Sequence, residues 1–348
     1  MHFRLETSPH LSSVSSISQV MGQVMLALIP GTILAFYFFG WGVLFNLVIA
    51  GIVALSSEAL MLRLRQRPVK PYLLDGSALT TAWLLALALP PLAPWWLTAV
   101  ASGFAIIIAK QLYGGLGFNP FNPAMVGYVV VLISFPADMT HWLAPETINH
   151  LPLGFTDTAM LVFAGVLPEP QSWDALTTAT PLDQIKTELG LDLTVSQIRS
   201  ESQNLFGLLS GRGWEWINGA FLLGGLWLMY KKVIQWQIPV GVIGGLFVIS
   251  GLFYLVDPAQ YSSPLFHIFS GGLMLCAFFI ATDPVSAATT PRGRLIFGAG
   301  IGLLIYIIRT WGGYPDGIAF AVLLMNMTAP MLDYYTQPRV FGHRKVKP

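Results

Sequence analysis

Long apolar runs recur along this chain, and each is about as long as a bilayer is thick. A helix needs about 20 mostly apolar residues to cross the hydrocarbon. Such runs lie near 20–39, 41–62, 77–94, 95–110, 123–142, 212–231, 237–256, 266–282, 294–311 and 316–335, with Gly or Pro shortening several of them. No water is available inside a bilayer to pair a bare backbone, so helix is the form open to runs of this kind. The composition agrees: 54% of the 348 residues are hydrophobic and 10% are charged, against about 25% charged in an average soluble domain. The chain therefore reads as an all-α integral membrane protein of about ten transmembrane helices in contact with a lipid bilayer.

Sidedness follows from the cations, because loops facing the cytoplasm retain Lys and Arg. Arg63, Arg65, Arg67 and Lys70 follow the second run, Lys110 the fourth, Lys231 and Lys232 the sixth, Arg292 and Arg294 the eighth, and Arg339, Arg344, Lys345 and Lys347 the tenth. Counted through ten spans, all of these and Arg4 fall on one face. Lys186, Arg199, Arg212 and Arg309 lie on the other face or at its edge. Both termini are then cytoplasmic, and the polar stretch 143–211 is outside the cytoplasmic membrane. The first residues, MHFRLETSPHLSSVSSISQ, lack the pattern of a signal peptide and read as a retained cytoplasmic segment.

Ten spans divide into two sets of five with opposite topology. IIIAKQLYGGLG at 106–117 is similar to IYIIRTWGGYPDG at 305–317, each passing from an apolar stretch through a cation to an aromatic and a Gly pair. GSALTTAWLLALALPP at 76–91 and GGLMLCAFFIATDPVS at 271–286 share a small-residue pattern. The expected organisation is an N-terminal segment with a first five-helix repeat (1–142), an external loop (143–211), and a second repeat with a C-terminal tail (212–348). Inverted repeats place interrupted helices, and the backbone they bare, near the midplane, where ions or cofactors bind.

Several functions are excluded. A formal net charge of +1 leaves no basic surface for nucleic acid. One cysteine, Cys276, can form neither an internal disulfide nor the four thiolates of an ordinary iron–sulfur cluster. The six histidines are scattered, without a pair at ligand spacing on one helix face. No P-loop, HExxH or serine-nucleophile elbow is present.

Polar interruptions are the candidate sites. In GGLGFNPFNPAM at 114–125, Pro120 and Pro123 forbid continuous helix, and Asn119 and Asn122 offer amides where backbone groups have lost their helical partners. The pair suits either the polar edge of a planar heterocycle or a helix cap. Asp283 before Pro284 fits a cap, a partner for Arg292 or Arg294, or a contact for a transported cation. Glu58 is close enough to Arg63 and the interface to be solvated. Ser8-Pro9-His10 reads as a turn.

The loop stretch DALTTATPL at 174–182 places three threonines in four positions. A threonine oxygen can accept a phosphate ester where small neighbours let a modifying enzyme approach. The spacing D-x-x-T-x-A-T resembles the motif of bacterial flavin transferases, which link FMN through its phosphate to the final threonine. Thr178 stands where that pattern often has Gly. The resemblance implies Thr180 as the attachment point of covalent FMN, with Asp174 and Thr177 as recognition residues. SPH near the start, AKQLYGGLGFNPFNPAMVGYVV, ATPLD, TDPVSAATTPRGRLIFG, GGYPDGIAFAVLLMN and DYYTQPRVFGHRK extend the likeness over nearly the whole chain. Together they resemble the RnfD family of the Rnf (Rsx) electron-transport complex, related to the NqrB component of Na⁺-translocating NADH:quinone reductase. That resemblance implies a urea-transporter-like fold of two inverted five-helix repeats in a bacterial inner membrane. It also implies a second, noncovalent flavin, riboflavin, for which Asn119 and Asn122 are the candidate contacts. The implied partners are the other Rnf subunits, especially the flavin-bearing RnfG, and a flavin transferase. The implied function is electron transfer between a neighbouring flavin and the ferredoxin/NAD(H) branch, coupled to Na⁺ or H⁺ movement. This chain has no GxGxxG after a strand and so no NADH site of its own. The competing expectation is a secondary transporter or channel without a redox cofactor, in which Thr180 is unmodified. Flavin that stays with the denatured chain separates the two.

Overall fold

Among the described residues every regular element is a helix, and strand pairing is confined to isolated bridges. The structure is a computed structural model that describes residues 16–143, 145, 153–167, 176–314 and 316–337. Asp174 and the Ser8-Pro9-His10 turn lie outside those residues.

The helix α1 (Ile17–Phe39) starts from a capping box in which Ser16 and Gln19 satisfy each other's backbone N–H. Gly40 joins it to α2 (Trp41–Leu64), after which come the short α3 (Val69–Leu73) and α4 (Ser77–Ala88). The helix α5 (Trp95–Gly103) continues as π-helix over Phe104–Gln111, and α6 (Pro123–Ser134) follows. The loop side carries α7 (Pro136–Thr140), α8 (Phe155–Ala164), α9 (Pro181–Leu189) and α10 (Val195–Glu201). The second half holds α11 (Trp214–Tyr230), α12 (Gln237–Val256), α13 (Pro264–Phe269), α14 (Leu273–Leu275, continued as π-helix over Cys276–Ile280), α15 (Pro291–Trp311) and α16 (Ile318–Tyr335). Two long helices, an interrupted one, a further helix and a final one after a polar turn therefore succeed each other twice.

Five of the ten expected spans are single helices long and apolar enough to cross a bilayer: α1, α2, α12, α15 and α16. The rest are shorter or broken, for local reasons. Pro90 and Pro91 stop the 77–94 run at Ala88, and Pro136 ends the 123–142 run at Ser134. The 266–282 run is split at Gly271, whose φ of +58° favours glycine.

Buried asparagines repair these breaks. Asn46 of α2 donates to the Pro90 carbonyl at 2.9 Å and accepts from Thr98 at 3.0 Å. Asn218 of α11 donates to the carbonyls of Phe269 (3.0 Å) and Gly271 (2.8 Å) and accepts the Met274 N–H at 3.2 Å. Each asparagine is almost fully buried, at 0% and 1% exposure, and supplies what a continuous helix would otherwise have given.

The halves meet where α1 packs on α11 and α6 on α16. Within the second half α12 and α15 pack through small residues: a Cβ on Gly241 would lie 2.7 Å from the Leu295 oxygen, and one on Gly245 2.6 Å from that of Ala299. Gly298 and Gly302 answer from α15, so the backbones touch directly, as small-xxx-small helices do in membranes. The cations expected on one face are neighbours. Arg65 donates to the Gln111 carbonyl (2.7 Å), Arg67 to that of Gly114 (3.1 Å), and Arg294 to the side chain of Gln235.

Glu58 departs from its expected solvation. It is 1% exposed, and Lys110 lies 2.7 Å from Oε1. The π-helical turn after α5 carries Lys110 inward, away from the interface that proximity to Arg63 suggested.

Candidate functional site

Thr180 is the N-cap of α9. Its Oγ1 accepts the Asp183 N–H at 3.2 Å, and Pro181 occupies the first helical position, where its missing N–H costs nothing. Upstream, Thr177 forms an antiparallel bridge with Leu143, and the Thr178 N–H donates to the Trp142 carbonyl at 3.0 Å. The threonine stretch is thus laid along the end of the first half, and Thr180 is half-buried beside Trp142.

The helix α9 is held from below. Leu182 and Ile185 join Ile198, Phe206 and Phe266 in a small apolar cluster. Lys186 donates to the carbonyls of Ile308 (3.2 Å) and Tyr314 (2.8 Å), placing a cation at the carbonyl end of α15. Burial pushes the Lys186 ammonium below the usual lysine range, opposed by the nearby Asp183 carboxylate. Burial likewise pushes Asp183 above the usual carboxylate range, opposed by Lys186.

Thr180 opens onto a cavity that encloses about 1130 Å³ of non-protein space, part of it open to solvent. Aromatic side chains form much of its wall: Trp142, Trp214, Tyr128 and Tyr314. The rings of Trp142 and Trp214 lie 5.1 Å apart, and Phe39 packs 5.1 Å from Trp214. Asp316 brings a carboxylate to the same cavity. Its Oδ1 accepts from Arg309 Nε at 3.2 Å and its Oδ2 from the Gly272 N–H at 3.3 Å. Arg309 is 4% exposed and also donates to the carbonyls of His267 (2.6 Å) and Ser270 (3.1 Å), so one ion pair fixes the break between α13 and α14.

Asn119 and Asn122 are elsewhere. They line a second cavity of about 920 Å³, with Ser77, Lys110, Thr282 and Asp283, on the cation-rich face. Asn122 caps α6 through the Met125 N–H (3.2 Å), donates to the Ile280 carbonyl (3.1 Å), and its own N–H donates to Asn326 (3.1 Å). Asn119 donates to the Phe121 carbonyl at 3.0 Å, but its buried Oδ1 has no partner. Met125 and Ile280 line the Thr180 cavity, so Asn122 ties together the layer that separates the two spaces. Asp283 accepts from Ser286 Oγ at 2.7 Å and makes no ion pair with Arg292 or Arg294 among the described residues, which is the capping reading.

The sequence reading missed Trp142, Trp214, Lys186, Arg309 and Asp316. Only Arg309 had left a trace, as the counterpart of Lys110 in the paired stretches 106–117 and 305–317.

Residues 4–342 match the NQR2, RnfD, RnfE family. Proteins named as the RnfD component of the ion-translocating oxidoreductase complex are similar along their whole length. That of Aliivibrio salmonicida is 52% identical over 352 residues, covering 99% of this chain and 100% of the relative. That of Escherichia fergusonii is 51% identical with the same coverage, and that of Shewanella amazonensis is 51% identical over 347 residues, covering 99% of both. The chain belongs to the NQR2, RnfD, RnfE family.

Proposed function

We propose that this chain is the flavin-carrying membrane subunit of an ion-translocating oxidoreductase complex in a bacterial inner membrane, with FMN joined to Thr180 as a phosphoester. The observation that carries the reading is the position of Thr180. A half-buried hydroxyl caps the positive end of a nine-residue helix at the mouth of an aromatic-walled cavity. Helix N-termini favour anions, so an esterified phosphate there is held by the backbone rather than repelled by it. The Trp142 and Trp214 rings offer flat apolar faces to a tricyclic ring, and Asp316 and Tyr128 offer polar edges. FMN supplies one- and two-electron chemistry that no side chain here has. The protein's part is to fix the ring's position, keep the phosphate at the cap and shield one face from water.

The names of the relatives support membership of a multi-subunit complex. Within it, the flavin-bearing RnfG and the ferredoxin/NAD(H) branch are the electron partners. A flavin transferase loads Thr180 from the loop face, opposite the cation-rich, cytoplasmic face that bears both termini. Riboflavin fits the inner cavity in part. Asn119 has a free buried acceptor, whereas Asn122 is largely committed to structure, so Asn119 is the residue to carry that contact.

In-gel fluorescence after denaturation tests the covalent flavin. The native chain should give a fluorescent band that Thr180→Val abolishes while the protein still inserts. A dark native band favours the transporter without a cofactor, and a bright Thr180→Val band moves the attachment elsewhere.

A further inference from the structure

We infer that Asp316, held by Arg309, is the specificity-determining acceptor of the outer cavity: it receives a ring N–H of the planar heterocycle carried on Thr180. The inference rests on the Thr180 reading above. Three observations point to it. The carboxylate is 26% exposed while Arg309 is 1% exposed by side chain, so the cation is sealed behind and the anion faces the cavity. Each Asp316 oxygen accepts one bond from protein, and a carboxylate has about four acceptor positions, so capacity remains on the cavity side. Asp316 cannot swing away, because the same pair fixes the Ser270–Gly272 break and the turn after α15. A rigid acceptor of this kind rejects rings lacking a donor edge more strongly than it rewards those that have one.

A neighbouring carboxylate disfavours ionisation of a ring N–H in two ways: the hydrogen bond stabilises the protonated ring, and like charge opposes its anion. The experiment is an absorbance titration of the covalently loaded, full-length protein in detergent, from neutral to alkaline pH, comparing native chain and Asp316→Asn. The ring N–H of the native protein should have an acid constant at least about tenfold smaller than in the variant. Asp316→Glu, which keeps the charge, should restore most of that difference. Should Asp316→Asn fail to insert with Arg309 left unpaired, the double variant Arg309→Gln/Asp316→Asn removes both buried charges together and gives the same comparison. Equal acid constants in loaded native and variant proteins overturn this inference and leave the Thr180 reading intact. A native chain without covalent flavin overturns both.

Discussion

Both halves of the molecule fix an interrupted helix with one buried cation, yet they turn opposite charges toward their cavities. In the first half Lys110 lines the inner cavity and donates to Ser77 Oγ at 2.7 Å, at the start of α4, while its partner Glu58 is sealed behind it. In the second half Arg309 is the sealed member, and its partner Asp316 lines the outer cavity. The inner pair is equally buried, 2% exposure on each side chain, and the outer pair is not, at 1% and 26%. One device, used twice, thus leaves an amine facing one ligand space and a carboxylate facing the other. The difference teaches that the repeat sets the backbone breaks, while the choice of which partner is exposed sets the chemistry of each cavity.

The largest expected effect comes from breaking the inner pair. Glu58→Ala strands Lys110 in the interior and should cost about 3–5 kcal/mol, read as a loss of thermal midpoint in detergent, whereas Glu58→Leu/Lys110→Met should recover most of it. Asp316→Ala should cost less, about 1–3 kcal/mol, because Arg309 keeps two carbonyl acceptors and the lost carboxylate was partly solvated. Equal losses at the two positions would remove the contrast between the halves.

Asparagines in the inner cavity sharpen the comparison further. Asn122→Ala removes a cap and the bond to Ile280 and should cost about 2 kcal/mol of stability. Asn119→Ala should leave the thermal midpoint nearly unchanged and weaken noncovalent flavin about tenfold, measured as acid-extractable flavin per chain. A large stability loss at Asn119 would make it a structural residue like its neighbour.

The smallest effect concerns the docking of α9. Asp183 has its pKa raised in the folded state, so the native form binds the proton more tightly than the unfolded one. Its contribution is present below the ordinary carboxylate value and is lost as pH rises through the raised one. Proteolytic nicking of the loop segment should therefore increase modestly between about pH 4 and 7 in the native chain. Asp183→Asn should flatten that rise, and an unchanged slope would place the titrating group elsewhere.

Local chemistry made part of this legible in the sequence. Long apolar runs foretold α1, α2, α12, α15 and α16, and Thr180-Pro181 and Asn122-Pro123 are each a capping residue followed by proline at the first helical position. The breaks were harder to read, since apolar residues continue through Gly271 and nothing local shows that Asn218, 53 residues away, will bond its carbonyl. Glu58 reads as solvated because Arg63 is near in sequence, but its partner is Lys110, brought inward by the π-helical end of α5. Trp142, Trp214 and Asp316 come from three separate stretches and become a site only when the halves close on each other. The covalent motif was the exception, because a transferase reads a contiguous stretch, and contiguous stretches survive in sequence.

The central claim is that Thr180 carries a flavin phosphoester, and the intact mass of the purified full-length chain measures it directly. The native protein should be heavier than its sequence by one flavin mononucleotide less one water, and Thr180→Val should show no such addition. A native chain at its bare sequence mass, or a Thr180→Val chain that keeps the addition, would contradict the account.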